Sequence, residues 1–184
     1  MKILLAAAAL LALTACGDRS PNQTDVMREM EKRDQAEQAS AQQAAGASQA
    51  FIDAAKARPG AVSTASGLVY VFTRHSSNQR LAKPPATAQV LVHYEGKLAD
   101  GTVFDSSFQR GQPAAFPLGQ VVPGFSEAIQ QMRPGDEVIA TFPASLGYGP
   151  RGQPPQIPPN AALQFRIQLL AYQAPNGPMV QAPH

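Results

Sequence analysis

Residues 90–107 read Val90-Leu91-Val92-His93-Tyr94-Glu95-Gly96-Lys97-Leu98-Ala99-Asp100-Gly101-Thr102-Val103-Phe104-Asp105-Ser106-Ser107. Val90, Val92 and Tyr94 alternate with Leu91, His93 and Glu95, the period of a strand with one buried face. Asp100-Gly101 is a turn signal, and Val103-Phe104 opens a returning strand, so the stretch is expected to form a hairpin. Upstream, Leu68, Tyr70 and Phe72 alternate in the same way, and the polar run 74–87 with Pro84-Pro85 reads as a loop. Downstream, Ala115 to Leu118 is a short strand. Pro123-Gly124 opens a brief helix with Phe125, Ala128, Ile129 and Met132 on one face, stopped by Pro134-Gly135. Glu137 to Phe142 is a strand, Pro143 to Pro159 a proline-rich loop, and Leu163, Phe165, Ile167 and Leu169 mark the closing strand. The expected fold class is α+β, a curled antiparallel sheet wrapped over one short helix.

Composition narrows the chemistry. The chain has 184 residues, 44% hydrophobic and 15% charged, with one cysteine, three histidines and net charge +2. That apolar share supports a real core. A charge of +2 is too small to build the field that nucleic-acid binders use. One cysteine excludes an intrachain disulfide framework and any multi-cysteine metal site, so neither metal nor cofactor is expected. There is no Gly-x-Ser-x-Gly elbow, phosphate loop or His-Glu-x-x-His. Asp105, His93 and Ser106 do not suggest a hydrolytic triad, because adjacent strand residues point to opposite faces. His93 alternates out of phase with Val92 and Tyr94 and is expected to face solvent.

The first residues read as an export signal: Met1-Lys2, the apolar run Ile3 to Leu13, then Thr14-Ala15-Cys16. Eleven apolar residues cannot span a bilayer, which takes about 20. The stretch Leu13-Thr14-Ala15-Cys16 resembles the lipobox of bacterial lipoproteins, which implies cleavage before Cys16 and its lipidation. Several acyl chains, at ~0.8 kcal/mol per buried CH₂, give a durable anchor. Gly17, rather than Asp, after Cys16 favours the outer membrane within that class, facing the periplasm. From Thr24 to Arg58 the sequence is rich in Ala, Gln and charge, with Thr24 as N-cap and Pro59-Gly60 as stop, an expected helical arm. The arm reads either as a stalk that pairs two copies or as a solvated tether. Expected boundaries are 1–15 for the signal, 16–60 for the arm, 61–173 for the folded domain and 174–184 for a loose tail.

Five segments in order carry a family resemblance. They are Val92 to Ser107, Val121-Val122-Pro123-Gly124-Phe125, Met132-Arg133-Pro134-Gly135-Asp136, Leu146-Gly147-Tyr148-Gly149, and Ile157-Pro158-Pro159-Asn160-Ala161. Together they resemble FKBP-type peptidyl-prolyl cis–trans isomerases, and the arm with Ser66-Gly67-Leu68 is similar to the bacterial macrophage-infectivity-potentiator branch. The resemblance implies an apolar pocket for proline-containing polypeptides formed by Tyr94, Phe104, Val121, Val122, Phe125, Ile157 and Phe165. Within it Phe125 is the floor, and Tyr148 and the Ile157 N–H are donors to substrate carbonyls. Asp105, held by Tyr94 and Arg110, faces the twisted amide. Asp105 and Tyr148 are thus the implied catalytic residues, and macrolide ligands are implied as a further partner class.

Three departures stand out. The floor, usually Trp, is Phe125, and a pocket aromatic common shortly after the arginine is replaced by Ala114. The flap 150–155 lacks the histidine of some relatives. Taken singly, inward aromatics such as Tyr94, Phe104 and Phe165 are equally consistent with plain core, Asp105 with a strand cap and Tyr148 with a loop tyrosine. A non-catalytic envelope chaperone or adhesion module using the same cleft stays open beside an isomerase. Aggregation suppression that survives loss of Asp105 and Tyr148 distinguishes it.

Overall fold

The computed structural model describes residues 23–182; the expected signal peptide and Cys16 lie outside the described residues. Alanine- and glutamine-rich sequence with no proline between Pro21 and Pro59 favours a continuous helix, and α1 runs Gln23–Lys56. The chain divides into two units between Glu37 and Gln38. In the first, Val26, Met27 and Met30 are exposed on α1. The sheet and the short helices lie in the second.

Eight strands form one antiparallel sheet: β1 Val62–Ser63, β2 Val69–Arg74, β3 Gln89–Leu98, β4 Val103–Ser106, β5 Ala114–Pro117, β6 Glu137–Phe142, β7 Leu163–Gln173 and β8 Met179–Gln181. The main order is β1-β2-β6-β7-β3-β4, with β5 also on β3 and β8 on β7. β3 and β7 are the spine, paired from Gln89↔Gln173 to Leu98↔Leu163. Along β3 every second residue from Val90 to Leu98 is buried, as the alternation predicts. A slip between Leu91 and Val92 accommodates one extra β7 residue there.

The helix α3, Pro123–Gln130, lies on the buried face, where Phe125, Ala128 and Ile129 join Val138, Ala140, Phe142, Leu163 and Ile167 in the main core. Pro123 sits in the first turn, where no intrahelical donor is lost. Burying a side chain such as Ile129 contributes about 1.5–3 kcal/mol. Gly124 is required, because a Cβ there would collide with the Phe142 ring. After α3 the buried Asp136 carboxylate accepts the N–H groups of Ser76 and Arg133, each at 2.6 Å, which ties the 74–87 loop to the start of β6.

Two expectations are corrected. The packed body does not begin near residue 61: the last turns of α1 bury Ile52 and Ala55 against Val69 and Ala162, with Phe51 and Ala61 alongside. A sparse apolar stripe among alanines concealed this, since small residues give little periodic signal. Nor is residue 174 onward uniformly loose. Asn176 takes a left-handed φ of 57°, the chain reverses, and β8 pairs Tyr172↔Val180, with Val180 against the core.

Candidate active site

The outer edge of β3 is shared by two strands that never meet. β4 pairs with Glu95–Lys97 and β5 with Gln89–Val92. Between them the chain leaves the sheet as a single helical turn, α2 Ser107–Arg110, capped by the Ser106 hydroxyl on the Gln109 N–H and ended by Gly111 at φ 69°. The ladder is interrupted at Tyr94, and a side chain fills the gap. The fully buried Ser107 hydroxyl accepts the Tyr94 N–H at 2.8 Å and lies 3.3 Å from the Tyr94 carbonyl. Without it a buried donor would be left unpaired, at about 1–3 kcal/mol.

This break sets Asp105, one residue before the buried Ser106 that caps α2, beside Tyr94 and Arg110. The Tyr94 hydroxyl donates to one Asp105 oxygen and the Arg110 guanidinium to the other. Arg110 also donates to the Tyr94 hydroxyl at 3.0 Å and lies 5.6 Å from that ring's centre. Burial alone would raise the Asp105 pKa, but the Tyr94 hydroxyl and the Arg110 charge outweigh it and hold the carboxyl below its usual value. Asp105 is therefore an ionised, fixed acceptor at neutral pH. Burial pushes both the Tyr94 and Tyr148 hydroxyls up, followed by the hydrogen bond to Asp105 for Tyr94 and by the Asp105 charge for Tyr148, so both stay protonated donors.

Beside this cluster opens a cleft of about 280 Å³, lined by Tyr94, Phe104, Asp105, Phe116, Gln120, Val121, Val122, Phe125, Tyr148 and Phe165. Phe125 is its floor, at 3% exposure. Its ring meets Tyr94, Phe116 and Phe165 edge to face, with centres 5.8, 6.2 and 5.2 Å away. Phe104 stands on Phe165 at 5.5 Å, and Phe142 stacks behind it at 5.7 Å. Each such ring pair adds about 0.5–1.5 kcal/mol beyond burial, so the walls are stiff. The rings crowd the sheet at Gly96, where a Cβ would come within 2.5 Å of Phe104 and 2.9 Å of Phe165. That close approach explains a glycine in mid-strand.

Eight of the ten residues implied by sequence line this cleft: Tyr94, Phe104, Asp105, Val121, Val122, Phe125, Tyr148 and Phe165. Arg110 stands outside it as the Asp105 partner. Ile157 is a correction. It is buried, and its N–H donates to the Gln153 carbonyl at 2.9 Å, so it is not free for a substrate. The 150–155 flap folds back on itself, which the sequence did not reveal. By contrast, the Tyr148 hydroxyl has no hydrogen-bond partner among the described residues, although its ring is half-buried in the wall.

Phe116 and Gln120 were missed. Phe116 lies two residues beyond Ala114 on the same face of β5, opposite Val90. It supplies the aromatic wall whose absence at 114 looked like a loss, and period-two counting along β5 would have found it. His93 is half-buried rather than solvated. Its ring stacks on Phe108 at 4.9 Å, and its Nδ1 is 3.2 Å from the Ser107 hydroxyl. Asp105 bonds to Tyr94 and Arg110, not to His93, so the three groups form no triad.

The FKBP-type peptidyl-prolyl cis-trans isomerase model matches residues 81–170, and the model of the domain amino terminal to that isomerase matches residues 9–71. The peptidyl-prolyl cis-trans isomerase Mip of Coxiella burnetii is 44% identical over 124 residues, 67% of this chain and 53% of that protein. The outer membrane protein MIP of Legionella longbeachae is 43% identical over 122 residues, 66% of this chain and 51% of that protein. The chain thus spans about half the length of these curated relatives. The crystal structure of a peptidyl-prolyl cis-trans isomerase from Pseudomonas syringae pv. tomato superposes with a TM-score of 0.65 at 32% identity, covering 72% of this chain and 95% of that one.

Proposed function

The chain belongs to the FKBP-type peptidyl-prolyl cis–trans isomerase family, and from that membership we propose that it accelerates X–Pro isomerisation in exported polypeptides. The observation that carries this reading is the juxtaposition of an ionised, doubly held Asp105 with a six-ring aromatic cleft.

An X–Pro amide resists rotation by ~18–20 kcal/mol because its C–N bond is partly double. At the top of the barrier the amide is twisted, its resonance is lost and its dipole is smaller. A cleft floored by Phe125 and walled by Phe104, Phe116 and Phe165 replaces water with ring edges and disfavours the planar, more polar form more than the twisted one. The proline ring seats on Phe125. The Tyr148 hydroxyl, without a hydrogen-bond partner among the described residues, donates to a substrate carbonyl and fixes the peptide as it turns. Asp105, locked by Tyr94 and Arg110, presents its negative field to the carbonyl carbon side of the rotating amide. No bond to the substrate is made or broken, and no metal or cofactor enters. Catalysis rests on Asp105 and Tyr148, with Tyr94, Phe104, Arg110, Val121, Val122, Phe125, Phe165, Phe116 and Gln120 binding or shaping the site.

The remaining elements fit an envelope protein. The name of the Legionella relative places that protein in the outer membrane, and the lipobox-like Leu13-Thr14-Ala15-Cys16 supports a lipid anchor at Cys16 and an outer-membrane location facing the periplasm. Among the described residues no helix is long and apolar enough to cross a membrane. The exposed Val26, Met27 and Met30 on α1 support pairing of two copies through the arm. Macrolide ligands fit the same cleft, with Phe116 making up for Ala114. The working boundaries are the signal over 1–15, the arm from 16 and the isomerase body reaching back into α1. A protease-coupled X–Pro peptide assay tests the activity: turnover above the uncatalysed rate is expected, and none from folded protein refutes it. Intact mass of wild type against Cys16→Ser tests the anchor, which unmodified Cys16 would exclude.

A further inference from the structure

Ser48, near the end of the arm, makes the one polar attachment described between α1 and the loop that carries Tyr148. The Ser48 hydroxyl donates to the Asn160 carbonyl at 3.0 Å and accepts the Ala162 N–H at 3.0 Å, so both hydrogen-bonding capacities are spent on one stretch of chain. Ala162 is buried, and its N–H has no strand partner because β7 begins only at Leu163. Asn160, in turn, closes the loop. It sits at a left-handed φ of 58°, and its N–H donates to the Gly149 carbonyl at 3.1 Å, one residue after Tyr148.

Inside that closure the loop is cross-linked again. Gln153 and Ile157 exchange both backbone hydrogen bonds, at 2.8 and 2.9 Å, and Gly152 rests so close to the Ile157 and Pro158 backbone that a Cβ would not fit. Residues 149–160 are thus cross-linked within themselves and closed between Gly149 and Asn160, which brings the hold on Asn160 to within one residue of Tyr148. On one side of Ser48 the helix is seated by Ile52 and Ala55. On the other, Ala44 and Ala47 face an open apolar crevice of about 170 Å³ shared with Leu98, Pro158 and Ala161. Ala44 is still half-buried at that crevice, but among the described residues the Ser48 hydroxyl is the last polar tie between helix and loop.

We propose that Ser48 is a positioning residue for the cleft: it clamps the rim loop so that Tyr148 meets substrate, which makes the end of the arm part of the isomerase rather than a tether to it. This rests on the isomerase reading above. Alanine has the higher helix propensity, so Ser48→Ala leaves α1 at least as stable in itself and removes only the clamp. The test is the full chain as wild type, Ser48→Ala and Ser48→Thr, read by X–Pro peptide kinetics and by amide hydrogen exchange over 149–162.

The alanine variant should raise KM about three- to tenfold, the worth of one or two hydrogen bonds, with kcat within about twofold and faster exchange confined to 149–162. Threonine, which keeps the hydroxyl, should restore both. An active wild type whose alanine variant has unchanged KM and exchange overturns the clamp and leaves the isomerase standing. A wild type without turnover sinks the isomerase reading instead, and exchange then decides the clamp: unaltered protection at 149–162 in the alanine variant overturns it.

Discussion

The walls of the cleft and its rim are built by different physics. Tyr94, Phe104, Phe125 and Phe165 come from β3, β4, α3 and β7, where ladder hydrogen bonds and ring-on-ring packing fix each side chain. Tyr148 and the flap come from a loop held by a few hydrogen bonds at Gly149, Asn160 and Ser48. The walls therefore carry stability and binding together, whereas the rim carries orientation at little structural cost. Asp105 is between the two, at the seam where β4 gives way to α2.

The largest effect expected is on a wall. Phe165 touches Phe104, Phe125 and Phe142, and Phe165→Ala should lower unfolding free energy by about 3–5 kcal/mol in chemical denaturation and abolish turnover with it. A variant as stable as wild type would erase the division between wall and rim. Next comes the seam. Asp105→Leu should lower kcat/KM by about 10–100-fold, the weight of a charged interaction, with near-native stability, because Arg110 is exposed and keeps its bond to Tyr94. Unfolding of that variant in circular dichroism would move Asp105 into the wall class.

On the rim, Tyr148→Phe should cost about 0.5–1.5 kcal/mol of transition-state binding, seen as a modest fall in kcat/KM with an unchanged melting temperature. The smallest effect is on pH. Because the folded-state pKa of Asp105 is depressed, its cluster stabilises the protein above the unfolded carboxylate value near ~4, and that contribution is lost as pH falls through the folded value. Melting temperatures of wild type and Asp105→Asn should converge only in that acid range. Convergence already at pH 6 would mean that the carboxyl is not held ionised.

Legibility followed the same divide. Period-two alternation and the Pro-Gly stops exposed β2, β3, β6, β7 and α3, because regular elements repeat their burial pattern along the chain. That pattern marked Tyr94, Phe125 and Phe165 as inward-facing, but only the resemblance joined them with Phe104 into a pocket. The resemblance of Leu146-Gly147-Tyr148-Gly149 supplied Tyr148, which pattern alone would have left as a loop tyrosine. What escaped notice depends on contacts far apart in sequence. Ser48 looks like any polar residue in an alanine-rich helix, although its partners are more than 100 positions away. The resemblance implied Ile157 as a donor, and nothing local announces the Gln153 carbonyl that takes its N–H across the flap. The strand β8 is three residues framed by Asn176-Gly177-Pro178, too short for periodicity to register.

Noncovalent rotation in a dry cleft makes one demand that no acid–base or acyl-transfer scheme shares: no proton moves in the rate-limiting step. Exchange NMR on an X–Pro peptide with catalytic full-length chain, in H₂O and in D₂O, measures this directly. The cis–trans exchange rate should rise well above the uncatalysed rate and be nearly equal in the two solvents. A rate several-fold slower in D₂O, or no acceleration from a folded chain, would contradict it.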